Sequence, residues 1–298
     1  MQVGFIGLGR MGSAMVERLL KHKHTVVAYD RTAEKVRAVA ALGAQGAHSL
    51  GGLIGQLNPP RVVWLMVPAG DPVAGVLRQL EGHLQKGDVV IDGGNSYYRH
   101  SIARANDLKK DSIHYLDAGT SGGVWGRERG YCLMVGGDPK AFKQAEPLFK
   151  ALAPKDGYAY VGPSGAGHFA KMVHNGIEYS MLQAYGEGFE MLERSEFGLD
   201  LHRLARLWNR GSVIRSWLLE LAESALQKDR HLRRIRGYVE DSGEGRWTVQ
   251  DAVDRGVAVP TIAQSLFARF QSRQKESFAN KLIAALRKEF GGHTVKKR

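Results

Sequence analysis

A parallel, doubly wound α/β domain followed by an all-α domain is the fold class that this sequence predicts, on three observations. Short β-rich runs alternate with helical patterns as far as residue 162: VGFIG, HTVVAYD, RVVWLMVP, GDVVIDGG, IHYLDAG, YCLMVGG and YAYVG. Strands alternating with helices are the mark of a parallel sheet covered on both faces. The first run leads through a glycine-rich turn, GLGRMG, into a helical pattern. After GPSGAG at 162–167 the strand signals cease. A chain of 298 residues is long enough for two domains, and the boundary is placed so that 1–164 form the α/β domain and 165–298 the helical one.

Each element has its own justification. Gly7, Gly9 and Gly12 form G-x-G-x-x-G between a strand and a helix. The first glycine allows the tight turn, the second lets backbone approach a pyrophosphate, and the third allows close helix–strand packing. The helix start then offers N–H groups and partial positive charge to the phosphates. This is the dinucleotide-binding turn of a Rossmann-type domain, with Arg10 and Met11 among its contacts. Asp30 ends the second strand, 18 residues after Gly12. An acid there accepts hydrogen bonds from ribose hydroxyls and repels a 2′-phosphate, which favours NAD. Arg31 beside it could pair with that phosphate, so NADP stays open. Beyond residue 165, one long helix is expected over 166–194. Further helices are expected around 200–210, 213–228, 248–255, 260–271 and 275–289. The continuation SMLQAYGEGFEML is too apolar for an exposed helix, so the long helix is expected to run through the core.

Composition narrows the class. Hydrophobic content of 43% with 24% charged residues is that of an ordinary soluble protein. No apolar run approaches the roughly 18 residues of a membrane span, and the first residues carry no signal-peptide pattern. The single cysteine, Cys132, rules out an intrachain disulfide and suits a reducing, cytoplasmic setting. It reads as a small residue in an apolar strand. The net charge of +12 admits nucleic acid, an anionic membrane surface or small acidic substrates. Apart from KDRHLRRIR at 228–236 and KKR at 296–298 the charges are dispersed. No RNA-binding aromatic signature, zinc-finger spacing or recognition helix accompanies them, which argues against nucleic acid. No metal-ligand cluster is seen and no metal is expected.

The segment GHFAKMVHNGIEY at 167–179 carries the most chemistry. As a helix it places Lys171, His174, Asn175 and Glu178 at i, i+3, i+4 and i+7, on one face. A polar stripe of that kind is more often a solvated face. Here it directly follows a dinucleotide domain on an apolar helix, and buried polar groups need partners. A substrate can supply them.

This segment, with DGGNSYY at 92–98 and DAGTSGG at 117–123, closely resembles the 6-phosphogluconate dehydrogenase family, within the β-hydroxyacid dehydrogenases. The resemblance continues through WNRGSVIRS at 208–216, GEGRWT at 243–248 and RKEFGGHT at 287–294. Below 300 residues, the chain resembles the family's short form. The resemblance implies oxidative decarboxylation of 6-phosphogluconate to ribulose 5-phosphate and CO2. Lys171 matches the general base for the C3 hydroxyl and Glu178 the acid that protonates C1 of the product. His174 and Asn175 would hold the substrate, and Asn95 would bond substrate or coenzyme. Ser121, Gly122 and Gly123 would face the substrate carboxylate. Tyr179, Arg246 and Thr248 match phosphate contacts, with Arg273 placed as the second phosphate-binding arginine. Arg287 and His293 match a C-terminal pair that reaches the neighbouring subunit's site, so a homodimer or higher oligomer is implied. Val67 and Pro68 lie in the coenzyme loop; Pro68 replaces a lysine found in many NADP-linked members, which favours NAD. Two other readings stay open: a related dehydrogenase acting on a smaller unphosphorylated acid, and a non-catalytic nucleotide-binding protein.

Overall fold

The computed structural model describes residues 1–296. It divides into two compact units, Met1–Asn175 and Gly176–Arg298.

The first unit is built on one sheet of β1 (Gln2–Ile6), β2 (Thr25–Tyr29), β3 (Gln45–Gly46), β4 (Val62–Leu65), β5 (Val89–Asp92), β6 (His114–Ser121), β7 (Cys132–Gly137) and β8 (Tyr158–Gly162). The order is β3-β2-β1-β4-β5-β6-β7-β8. Neighbours run parallel except β6 and β7, which are antiparallel. All seven runs expected from sequence are strands. The antiparallel pair departs from the expected parallel sheet because the β6–β7 connection is too short for a crossover. The short β3 was not foreseen, since its two residues, Gln45 and Gly46, are exposed and carry no β-branched side chain.

Alternation along the strands builds two cores. Val3, Phe5, Trp64, Val89 and Ile91 face one layer; Ile6, Val27, Val63, Leu65 and Val90 face the other. Successive strand residues point to opposite faces, so buried parallel strands read as continuous apolar runs. Connecting helices are α1 (Arg10–Lys21), α2 (Ala33–Ala40), α3 (Leu50–Gly55), α4 (Asp71–Leu80), α5 (Tyr98–Lys110), α6 (Gly126–Arg129) and α7 (Pro139–Leu152). Strand order reverses between β1 and β4, and ligands of such sheets bind at that switch point, beyond the strands' carboxyl ends.

The long helix α8 (Ala166–Glu193) spans the division between the units. The second unit continues with α9 (Leu201–Trp208), α10 (Trp217–Lys228), α11 (Glu244–Arg255), α12 (Pro260–Ser272) and α13 (Phe278–Gly291). Ser or Asp side chains cap α9, α10 and α13.

Two expectations are corrected. The second half of α8 does not run through the core: Met181, Leu182 and Met191 are exposed. One side of it, Tyr185, Phe189 and Leu192, packs on Leu201, Ala205, Leu219 and Leu226. Its other apolar residues point away from that cluster. Cys132 lies in β7 as expected but is exposed, because strand alternation buries Leu133 instead. Among the described residues, no helix is long and apolar enough to cross a membrane.

Candidate active site

The turn after β1 comes first. Gly7 has φ +97°, and a methyl group added there would stand 2.4 Å from the Met66 carbonyl oxygen at the end of β4. At Gly12 it would meet the Gly7 carbonyl oxygen at 2.0 Å. At Gly9 it would meet nothing within 4 Å, so the turn is tight against protein and open outward. Helix α1 starts at Arg10 with no side-chain cap, leaving N–H groups of its first turn for a ligand. The Leu8 N–H donates to Asp30 Oδ2 at 2.7 Å and the Thr32 N–H to Oδ1 at 2.9 Å, with Lys35 Nζ 3.6 Å away. Partial burial works against the Asp30 charge, yet these donors and Lys35 hold its carboxyl below the ordinary value. Arg31 is exposed beside it.

The coenzyme loop and the turn after β5 are tied together. Asp92, fully buried, accepts from Gly94 N–H at 3.2 Å, Ser96 Oγ at 2.7 Å, Tyr115 OH at 2.8 Å and Arg104 Nη1 at 3.3 Å. Burial, then the Asp92 charge, pushes the Tyr115 hydroxyl far up, so it stays a donor. Arg104 Nη2 donates to the Gly70 carbonyl at 3.1 Å, linking this turn to the loop of half-buried Val67 and exposed Pro68. Within the turn, Asn95 Oδ1 is buried with no hydrogen-bond partner. Such an acceptor is costly unless something donates to it. The open side of Gly9, the uncapped α1 and this orphaned oxygen fit a bound dinucleotide.

On α8, the sequence candidates do come together. Lys171 and Asn175 are buried. Lys171 Nζ donates to Asn175 Oδ1 at 2.7 Å and lies 3.2 Å from His174 Nδ1. His174 Nδ1 is also 3.1 Å from Asn175 Oδ1, and its Nε2 is 3.5 Å from Ser121 Oγ. An unprotonated Nδ1 accepts from Lys171; a protonated one donates to Asn175. Ser121 opens the turn through Gly122 and Gly123. Glu178 is half-buried two helical turns beyond Lys171.

In the second unit, Tyr179 is buried and its hydroxyl accepts from the Ser242 N–H at 3.1 Å. Arg246 makes a two-pronged pair with Asp241, Nε–Oδ1 2.7 Å and Nη2–Oδ2 3.0 Å, and Arg273 Nη2 reaches the same carboxylate at 2.9 Å. The Arg246 hydrogen bond, helped by Arg273, holds Asp241 below the ordinary carboxylate range despite its burial. Both guanidinium groups lie over the Phe270 ring. Thr248 is buried, its Oγ1 donating to the Glu244 carbonyl at 2.8 Å. Arg269, which the sequence reading missed, stacks over the Tyr179 ring at 3.4 Å and donates to the Glu240 carbonyl. Its signal was available: it lies on α12 four residues before Arg273, which follows the helix's last residue. Arg246 and Arg273 thus share one carboxylate while Arg269 meets a backbone carbonyl and the Tyr179 ring, an arrangement with surplus positive charge for an anion. Arg287 is exposed on α13, and His293 is exposed beyond its end, edge-on to Phe290.

A glycine turn at the switch point, a carboxylate closing β2 and a lysine–histidine–asparagine face define a nicotinamide-dependent dehydrogenase fold and site. Residues 2–162 match the NAD binding domain of 6-phosphogluconate dehydrogenase, and residues 167–290 match its C-terminal domain. The chain belongs to the 6-phosphogluconate dehydrogenase family, as its motifs implied. It is 50% identical to the Bacillus subtilis protein YqeC, over 100% of both chains. It is 48% identical to the NAD(+)-dependent, decarboxylating 6-phosphogluconate dehydrogenase of Haloferax volcanii, over 99% of this chain and 98% of that one. Its structure matches the Plasmodium falciparum 6-phosphogluconate dehydrogenase with a TM-score of 0.84 at 28% identity, covering all of this chain and 66% of that one.

Proposed function

We propose that the protein oxidatively decarboxylates 6-phosphogluconate to ribulose 5-phosphate and CO2 with reduction of NAD. The observation that carries this reading is the cluster of buried Lys171 and Asn175 with half-buried His174 on the first turns of α8. Bound NAD, held by Gly7, Gly9, Arg10, Met11, Gly12 and Asp30, supplies the acceptor for the hydride from C3. Lys171, as its neutral amine, takes the proton of the C3 hydroxyl and becomes an ammonium, while His174 and Asn175 hold Nζ in place and orient the hydroxyl. The resulting 3-keto acid loses its carboxylate as CO2, the keto group accepting the electron pair. Glu178 then protonates C1 of the product enediol. Ser121 and the glycines after it face the carboxylate that departs, and Asn95 offers its unpaired oxygen. Arg246, Arg269 and Arg273, with Tyr179 and Thr248 beside them, bind the phosphate.

NAD is favoured over NADP because Asp30 keeps its negative charge where a 2′-phosphate would lie. The Haloferax relative's name agrees with that choice. Residues 1–164 serve the coenzyme, and 165–298 serve the substrate and self-association. The enzyme is a cytoplasmic homodimer or higher oligomer, with Arg287 and His293 completing the neighbouring site. An apolar stripe on α13 supports the oligomer: Phe278, Leu282, Leu286 and Phe290 recur every four residues and are 49–78% exposed.

The deciding assay gives purified protein 6-phosphogluconate with NAD or NADP and follows coenzyme reduction alongside CO2 release. Reduction with equal CO2, faster with NAD, is expected. Reduction without CO2 would remove Glu178 from its role, and no reduction would remove the substrate.

A further inference from the structure

Asp117 is fully buried and has no part in the chemistry above. Its position explains why it is there. Asp117, Gly119 and Ser121 alternate along β6, so they share one face of that strand. Each touches a successive stretch of α8 and its entry. Asp117 Oδ1 accepts the Gly165 N–H at 2.7 Å and Oδ2 accepts the His168 N–H at 2.9 Å. These are the N-cap and third-residue N–H groups of the helix, the pair that a capping box satisfies with two local side chains. Here one carboxylate, 48 residues upstream of Gly165, does both. At Gly119 an added methyl group would lie 2.4 Å from Lys171 Cβ and 2.7 Å from the Gly167 carbonyl oxygen. Ser121 Oγ reaches His174 Nε2 at 3.5 Å. A second tie comes from α5, where Ser101 Oγ lies 2.7 Å from His168 Nδ1.

We propose that one face of β6 is the seat of the catalytic base, with Asp117 and Gly119 as positioning residues. Asp117 fixes the start of α8 along its axis, and Gly119 fixes how deeply Lys171 sits. Between them they place Nζ on the substrate side without touching substrate or coenzyme. The inference rests on the reading of Lys171 as the base. It requires a carboxylate at 117, because asparagine of the same shape keeps one acceptor and turns an N–H donor toward the second N–H. It requires glycine at 119, because any side chain there pushes the Lys171 stem outward.

The test compares Asp117→Asn, Gly119→Ala and Lys171→Met with the wild type. The readouts are kcat, KM for NAD, and the deuterium isotope effect on kcat with 6-phosphogluconate deuterated at C3. A misplacement of about 1 Å can cost about 10²-fold in rate. Asp117→Asn and Gly119→Ala should therefore lose about 10- to 10²-fold in kcat. KM for NAD should stay within about twofold, and the isotope effect should rise as hydride transfer becomes limiting. A variant that was merely less stable would lose active enzyme but keep the wild-type isotope effect. Unchanged kcat and isotope effect in a folded Asp117→Asn or Gly119→Ala would overturn the proposal; should Asp117→Asn not fold, Gly119→Ala decides. An inactive Lys171→Met beside unaffected seat variants sinks the seat alone. A fully active Lys171→Met sinks the base and the seat together.

Discussion

Lys171 and Glu178 sit seven positions apart on α8, and the roles proposed for them are opposite: one removes a proton early, the other returns one late. Lys171→Met and Glu178→Gln should each lower kcat by at least about 10²-fold, the low end of acid–base contributions. Full rates in both folded variants would dissolve the assignment. Asp241 supports a different prediction. Its carboxyl is held below the ordinary value by Arg246 and Arg273, so its contribution to stability is present above the unfolded-chain value of 3.8 and fades as pH falls through the lower folded value. Wild type and Asp241→Asn should thus differ in Tm at pH 7 and converge in strong acid. A constant Tm difference down to pH 2 would show that the pairing does not titrate. Residues of this kind mark the limit of sequence reading. Lys171, His174 and Asn175 were legible because a helix's period places them on one face. Asp241, Arg104 and Asp117 were not, because their partners lie on other elements and carry no local pattern.

Among the elements, the sheet was legible almost strand by strand because parallel strands buried on both faces leave unbroken apolar runs such as VVWL and VVID. What escaped had physical cause: β3 has two exposed residues, and the antiparallel β7 looks in sequence like its parallel neighbours. The second half of α8 misled because apolar composition reports the need for a partner and not whether the same chain provides it. The turn after β1 gives the test at this scale. Gly12→Ala drives a methyl group into the Gly7 carbonyl, so fold and coenzyme binding should fail together. Gly9→Ala meets no protein atom within 4 Å, so it should leave Tm unchanged while raising KM for NAD at least about tenfold, the equivalent of about 1.4 kcal/mol of binding. Unchanged KM would mean that the coenzyme backbone does not pass over Gly9.

For the whole molecule, the feature that bears on assembly is the apolar stripe of α13. Four residues spaced one turn apart, Phe278, Leu282, Leu286 and Phe290, define a helix face that usually lies against something, yet all four are exposed. A patch of this size on a helix that also bears Arg287 suits association with a second copy, the arrangement proposed above for completing the active site. Two variants separate its packing role from its chemical one. Leu282→Glu with Leu286→Glu puts carboxylates into the stripe and leaves Arg287 and His293 in place; it should yield monomers by sedimentation and abolish turnover, with NAD binding retained. Arg287→Ala with His293→Ala leaves the stripe intact; it should stay oligomeric and lose turnover through a higher KM for 6-phosphogluconate. Monomers that still turn over at the wild-type rate would show that each chain carries a complete site, and the C-terminal pair would then have to act within its own chain.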